Sequence, residues 1–304
     1  MSRFTRAVLA AARAPIVERG VTGTRPGRAL AHRFVAGDTL DDATAAARVL
    51  NGGGLAVSLD LLGEEVDDRS TALVAADRYL ASIERISQLG LDANVSVKLT
   101  QLGLAFDRGL AAESLARLGR AAAEHRTTVT VDMEDARYTQ DTVDLYADGQ
   151  AETGNLGIAL QAYLHRTPED LERLAPLGGH IRLCKGAYVE PASIAFQGRA
   201  EVDAAFALLL ERLMSVDATR PAVATHDDRL IALARELAPG RTGGWEFQML
   251  YGVRPELQRS LAADGAEVRI YLPFGAQWYP YLSRRIAERP ANLAFFLRAI
   301  TSRR

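Results

Sequence analysis

The chain has 304 residues, 48% hydrophobic and 24% charged, with a formal net charge of -2. A chain of this size and balance buries a large core without disulfides or structural metals, and its charge makes no electrostatic case for a nucleic-acid partner. Its single cysteine, Cys184, excludes an intramolecular disulfide and a cysteine zinc cluster, and fits a reducing, cytoplasmic setting.

The apolar run Ala7–Ala12 is short and interrupted by Arg13, so no secretory signal is expected. No stretch approaches the roughly 20 apolar residues of a membrane span, which leaves open only peripheral contact with the inner face of a membrane. Residues 1–50 read as an N-terminal helical segment broken by the loop Gly20–Gly27. From Gly52 onward, short apolar runs alternate with longer amphipathic stretches. The predicted strands are Leu55–Leu59, Asn94–Lys98, Thr128–Asp132, Gly157–Gln161, Ile181–Lys185, Ala222–Thr225, Gly244–Gln248 and Val268–Leu272. Several are apolar nearly throughout, as parallel strands buried on both faces should be. The helical patterns between them are Asp67–Leu89, Leu110–His125, Thr139–Gly149, Pro168–Leu177, Glu201–Met214, Leu230–Leu237 and Pro255–Ala263. Eight such repeats predict a (β/α)8 barrel over residues 51–304, with residues 1–50 packed on it as part of one domain. An open doubly wound sheet is the alternative.

Catalytic residues of such barrels gather at the C-terminal ends of the strands. Only two of the 36 basic residues are lysines, Lys98 and Lys185, and both fall at predicted strand ends. Asp60, Asp132, Gln161, Arg182, Thr225, His226, Gln248 and Tyr271 lie at the same rim, so two lysines there are more than a structural coincidence. In the segment after the last strand, Tyr281 and Arg285 share one helical face, as do Arg284 and Glu288. Planar guanidinium forks suit a carboxylate, although spacing alone fits an exposed Arg–Glu pair better. Asn51–Gly54 precedes a strand, so it is not a dinucleotide fingerprint; any nucleotide cofactor must be held by the rim. The five histidines form no metal-binding pair, and no metal is expected; magnesium at Asp132, Glu134 and Asp135 is a minor reading.

Taken in order, the segments Asp60–Glu64, Ser96–Leu99, Val131–Glu134, Gln161–Tyr163, Arg182–Tyr188, Ala224–Asp227, Glu246–Gly252 and Tyr281–Glu288 resemble the proline dehydrogenase family, in its short monofunctional bacterial form. The resemblance implies a distorted (β/α)8 barrel that holds FAD non-covalently and oxidises L-proline to Δ1-pyrroline-5-carboxylate. Electrons then pass to a quinone in the first step of proline breakdown to glutamate, with pyrroline-5-carboxylate dehydrogenase as a candidate partner. By the same resemblance, Lys98, Arg284 and Arg285 hold the substrate carboxylate, and Asp132 and Tyr188 are polar catalytic positions. Tyr271, Tyr281 and Leu250 line the proline pocket, Glu288 orients its cationic neighbours, and Glu64 pairs with Arg284 as a gate. Arg182 and Gln161 match flavin-ring contacts; Met133 packs on the ring; Lys185, Gly186, Ala187, Arg199, Thr225 and His226 match the rest of the cofactor site. Departures from the family's usual residues are Val189 for tryptophan, Asp227 for asparagine, and Cys184 for valine, the last read as a small buried hydrophobe.

Two other functions fit some of these residues. A Schiff-base aldolase would use Lys98 or Lys185 as its amine. A ligand-binding scaffold would hold a flavin without turnover.

Overall fold

The computed structural model describes residues 31–63 and 66–288, with the backbone alone from residue 284. Strands β1 (Ala56–Leu61), β2 (Ala93–Val97), β3 (Val129–Val131), β4 (Leu156–Gln161), β5 (Gly179–Cys184), β6 (Thr219–Ala224), β7 (Glu246–Leu250) and β8 (Val268–Phe274) pair in parallel in sequence order. β8 pairs back onto β1, Ala56 facing Arg269 and Leu61 facing Phe274, which closes the barrel. The doubly wound alternative is thereby excluded.

Helix α1 (Leu40–Gly52) leads into β1. After successive strands come α2 (Arg69–Gln88), α3 (Arg108–Glu124), α4 (Thr139–Thr153), α5 (Thr167–Leu174), α6 (Arg199–Met214), α7 (Asp228–Leu237), α8 (Pro255–Ala263) and α9 (Trp278–Glu288). Each of α2 to α9 starts beside the C-terminal ends of the strands, so its unpaired N–H groups and positive dipole end face the mouth. Several starts are set by side-chain caps: Asp68 accepts from Thr71 N at 2.9 Å, Asp107 from Leu110 N at 3.0 Å, and Asp227 from Arg229 N at 3.1 Å.

Along most strands the outward positions are apolar and the inward ones polar. The outward Val57, Leu59, Val95, Val97, Ile158, Leu160, Ile181, Leu183, Phe247, Ile270 and Leu272 join Tyr79, Ile83, Leu115, Leu118 and Phe206 of the helices in one large core. Their inward positions carry Ser58, Asp60, Asn94, Ser96, Thr130, Asp132, His180, Arg182, Glu246, Gln248, Arg269 and Tyr271, which bond to one another across the lumen. A barrel lumen ordinarily fills with branched aliphatic residues. This one is a column of paired charges, tolerated because nearly every buried polar atom has a partner.

Strand boundaries moved by up to three residues, and α4 runs four residues past its predicted end, to Thr153. β7 starts two residues late, because Gly244 and Trp245 still belong to the preceding loop, and it takes in Leu250. Glu246 therefore lies at the N-terminal end of its strand, not at the rim. β6 begins at Thr219 despite Pro221, and β5 at Gly179. His180, read as preceding its strand, lies inside β5. Residues 31–37 dock on the barrel, Ala36 N donating to Pro273 O at 2.8 Å and Gly275 N to Gly37 O at 2.9 Å. Phe34 then joins Leu62, Trp278, Tyr279, Tyr281 and Leu282 in an apolar cluster near the mouth.

Candidate active site

A cavity of about 700 Å³ opens at the C-terminal ends of the strands. This is within the roughly 300–1,000 Å³ usual for cofactor and substrate sites. On its floor four charged side chains form a closed network. Arg182 lies flat within β5 with each donor group committed: Nη1 to Asp132 Oδ1 at 2.5 Å, Nη2 to Ser96 Oγ at 2.9 Å, and Nε to Gln248 Oε1. Asp132 Oδ2 accepts from Tyr271 Oη at 2.6 Å and lies 3.6 Å from Lys98 Nζ. Lys98 Nζ donates to Asp60 Oδ1 at 2.5 Å. The Arg182 guanidinium also sits 5.2 Å from the centre of the Tyr271 ring.

Two cations thus balance two carboxylates in a site where Asp60 and Arg182 are almost wholly buried. Burial opposes the Lys98 ammonium, but Asp60 and Asp132 outweigh it and hold Lys98 protonated well above the ordinary lysine value. Burial also pushes Asp60 up, against the pull of Lys98. Burial and the neighbouring Asp132 carboxylate keep the Tyr271 phenol well above its ordinary value, so it serves as a donor. A Lys98 whose ammonium form is favoured by Asp60 and Asp132 is poorly suited as a Schiff-base amine, which needs a free lone pair. Lys185 is likewise occupied, at 2.5 Å from Asp203 Oδ1 and 3.2 Å from Asp227 Oδ2. The aldolase alternative therefore loses both of its candidate amines.

The other half of the cavity is a loop-and-helix rim. Gly186 has φ +113, and an added Cβ would overlap the Tyr163 ring, so only glycine fits there. Ala187 N donates to Gln161 Oε1 at 3.3 Å while Gln161 Nε2 donates to Glu134 O at 2.8 Å, which fixes the direction of the amide. Lys185, Arg199 and Arg229 cluster around Asp203 and Asp227 beside the starts of α6 and α7. Although partial burial works against its charge, bonds from Arg229 and Lys185 hold Asp227 at about 2. Thr225 Oγ1 accepts from Asp227 N at 3.1 Å, and His226 Nε2 accepts from Leu250 N at 3.1 Å.

The structure gathers Lys98, Asp132, Met133, Gln161, Arg182, Lys185, Gly186, Ala187, Tyr188, Arg199, Thr225, His226, Leu250, Tyr271 and Tyr281 around this one cavity. The helix expected to carry Arg284, Arg285 and Glu288 is present as α9, but their side chains lie outside the described residues, as does Glu64. The magnesium reading is not supported: Glu134 turns to Thr100, accepting from its Oγ1 at 2.6 Å, while Asp135 pairs with Arg137 at 2.7 Å. Cys184 is a correction too; it is half-buried and lines the cavity, with Sγ 3.4 Å from Leu160 O. Val189, next to Tyr188 in sequence, is exposed. Sequence reasoning placed Asp60 and Gln248 at the rim without assigning them a role, and passed over Asp203 and Arg229. The signal for the first two was the period-2 alternation of Ser58/Asp60 and Glu246/Gln248, which points both inward. Asp203 and Arg229 had no such signal, because only the packing of α6 beside α7 brings them to Lys185.

Residues 43–298 match the family model for proline dehydrogenase. Proline dehydrogenase 1 of Bacillus subtilis is 40% identical over 281 residues, covering 91% of this chain and 92% of the relative. The proline dehydrogenase of Deinococcus radiodurans is 37% identical, covering 98% of this chain and 97% of the relative. Among solved structures, proline utilization A from Bdellovibrio bacteriovorus superposes with a TM-score of 0.81 at 22% identity, over 91% of this chain and 34% of that one. The present chain thus spans about a third of that longer protein, and there the likeness concerns the fold. A match along most of its length, to a family model and to relatives of its own size, settles the assignment: the chain belongs to the proline dehydrogenase family.

Proposed function

We propose that this enzyme oxidises L-proline to Δ1-pyrroline-5-carboxylate with a non-covalently held FAD and a quinone as final acceptor, as the first step of proline catabolism. The observation that carries the reading is the Lys98–Asp132–Arg182–Tyr271 network on the floor of a cavity that has a glycine loop on one side and α9 on the other. The residues present suit FAD. Gly186 leaves open a cradle that any Cβ would fill, Met133 offers an apolar face, and Gln161 presents an amide of fixed orientation. Lys185, Arg199 and the starts of α6 and α7 supply positive potential for the phosphates, with Ala187, Thr225 and His226 completing the wall. When bound, FAD would supply the acceptor for the hydride leaving proline.

The chain's own groups bind and orient the substrate. Lys98, together with Arg284 and Arg285 on α9, grips the carboxylate, with Glu288 steadying the arginines and Glu64 closing over Arg284. Tyr271, Tyr281 and Leu250 enclose the ring. The network around Lys98 is neutral overall, so the arginines of α9 supply the charge that the incoming carboxylate needs. Arg182 presents a fixed cation toward the flavin. Asp132 and Tyr188 are the polar groups at the reacting centre. Both Asp132 oxygens are already engaged, so the substrate amine is best deprotonated by solvent or before binding.

We read residues 1–50 and the barrel of residues 51–304 as one domain, a reading supported by the described residues from 31 onward, which dock on the barrel and lead into α1. Among the described residues no helix is long and apolar enough to cross a membrane, and contact with the inner membrane face would be peripheral. A pyrroline-5-carboxylate dehydrogenase is the natural recipient of the product. The test is direct: the purified protein should show flavin absorption and reduce an artificial electron acceptor when proline is added. A colourless protein that gains no activity when FAD is supplied would refute the proposal.

A further inference from the structure

The polar column continues below the active site. Gln248 uses its Oε1 on Arg182 Nε, so its amide nitrogen must donate downward, and it meets Glu246 Oε1 at 2.7 Å. Glu246 is only 1% exposed. Its Oε1 also accepts from Arg269 Nε at 2.8 Å and lies 3.3 Å from His180 Nε2, while Oε2 lies 3.6 Å from Arg220. Burial drives Glu246 toward protonation, but the His180 hydrogen bond and the Arg269 guanidinium outweigh it and hold the carboxylate ionised, below the ordinary glutamate range. A glutamine between a carboxylate and a guanidinium has only one orientation, its oxygen toward the cation and its nitrogen toward the anion.

This arrangement does something the Asp132 contact does not. Asp132 holds one end of the guanidinium, Ser96 a second corner, and Gln248 the Nε edge; three contacts around a plane leave it no rotation. We propose that Glu246 is a positioning residue for Arg182: acting through Gln248, it locks the guanidinium against the flavin and raises the flavin's reduction potential. The inference rests on the FAD reading above. Glu246 does not line the cavity and acts through Gln248; Gln248 lines the cavity beside Arg182 and acts through it.

The experiment is a redox titration of the bound flavin in the holoenzyme and in Gln248→Met, Glu246→Gln, Arg182→Met and the double variant Arg182→Met/Gln248→Met, with thermal unfolding followed in parallel. Gln248→Met and Glu246→Gln should each shift the equilibrium away from reduced flavin by about tenfold, which is about 30 mV for a two-electron couple. In the Arg182→Met background, Gln248→Met should add less than threefold, because its route is already cut. A Gln248→Met enzyme with lowered thermal stability and unchanged potential overturns the proposal, making Gln248 a structural strut. So does a shift that persists in full when Arg182 is absent. If Glu246→Gln does not fold, the Gln248→Met arm decides alone. Failure of the underlying reading looks different: no flavin in the native protein, or a native potential in Arg182→Met, overturns both.

Discussion

Lys98→Met removes the charge while keeping most of the length of the side chain, and its effect follows from the site. Asp60 is 1% exposed, and its ion pair is with Lys98 Nζ at 2.5 Å. Without the ammonium the carboxylate has two courses. Staying ionised costs about 3–5 kcal/mol, as for a broken buried pair. Taking up a proton costs about 1.4 kcal/mol for each pH unit above an ordinary aspartate value near 3.9, or about 4 kcal/mol at pH 7. The cheaper course sets the loss, so the variant should be destabilised by about 3–4 kcal/mol at pH 7, about 1.5 kcal/mol at pH 5, and almost nothing near pH 4. The sign follows from linkage. Burial raises Asp60 in the folded state, and losing Lys98 raises it further. Stability is then complete below the unfolded-state value and is lost as pH rises through the folded one. Urea unfolding of both proteins at pH 5 and pH 7 measures the gap. A gap equal at the two pH values, or below about 1 kcal/mol at pH 7, would refute the charge compensation on which the argument rests.

Tyr271→Phe deletes the 2.6 Å bond to Asp132 and leaves a buried carboxylate short of a donor; the expected loss is about 1.5–3 kcal/mol in the same urea assay. Gly186→Ala forces a side chain into φ +113 against Tyr163, so the purified variant should carry much less flavin than the native protein, measured by absorbance; full loading would remove the glycine cradle from the reading. Arg284→Ala and Arg285→Ala should each cost about 2–3 kcal/mol of proline binding, roughly a 30- to 150-fold rise in KM, and near-native KM in both would count against the clamp. Turnover should increase with pH as the proline amine loses its proton, and a flat alkaline profile would contradict amine deprotonation at or before oxidation.

The eight repeats and the placement of Lys98, Asp132, Gln161 and Lys185 at strand ends were legible from local pattern, because a strand ends where its apolar run meets a polar residue and a helix starts at a cap such as Asp68 or Asp107. These are short-range effects, carried by a few consecutive side chains. The family resemblance added roles, since its motifs keep their order along the chain.

What local pattern could not supply was partnership. Arg182 meets Ser96 and Gln248 on two other strands and Asp132 just past the end of a third, at sequence separations of 86, 66 and 50 residues. Only closure of β1 onto β8 brings those strands around one axis, so the charge-balanced lumen, the state of Lys98 and the column below Arg182 are properties of the barrel. The sequence by itself determined which residues turn inward, through the alternation of side chains along a strand. The tertiary structure decided which inward residue faces which, because register and curvature are set by packing across the entire sheet.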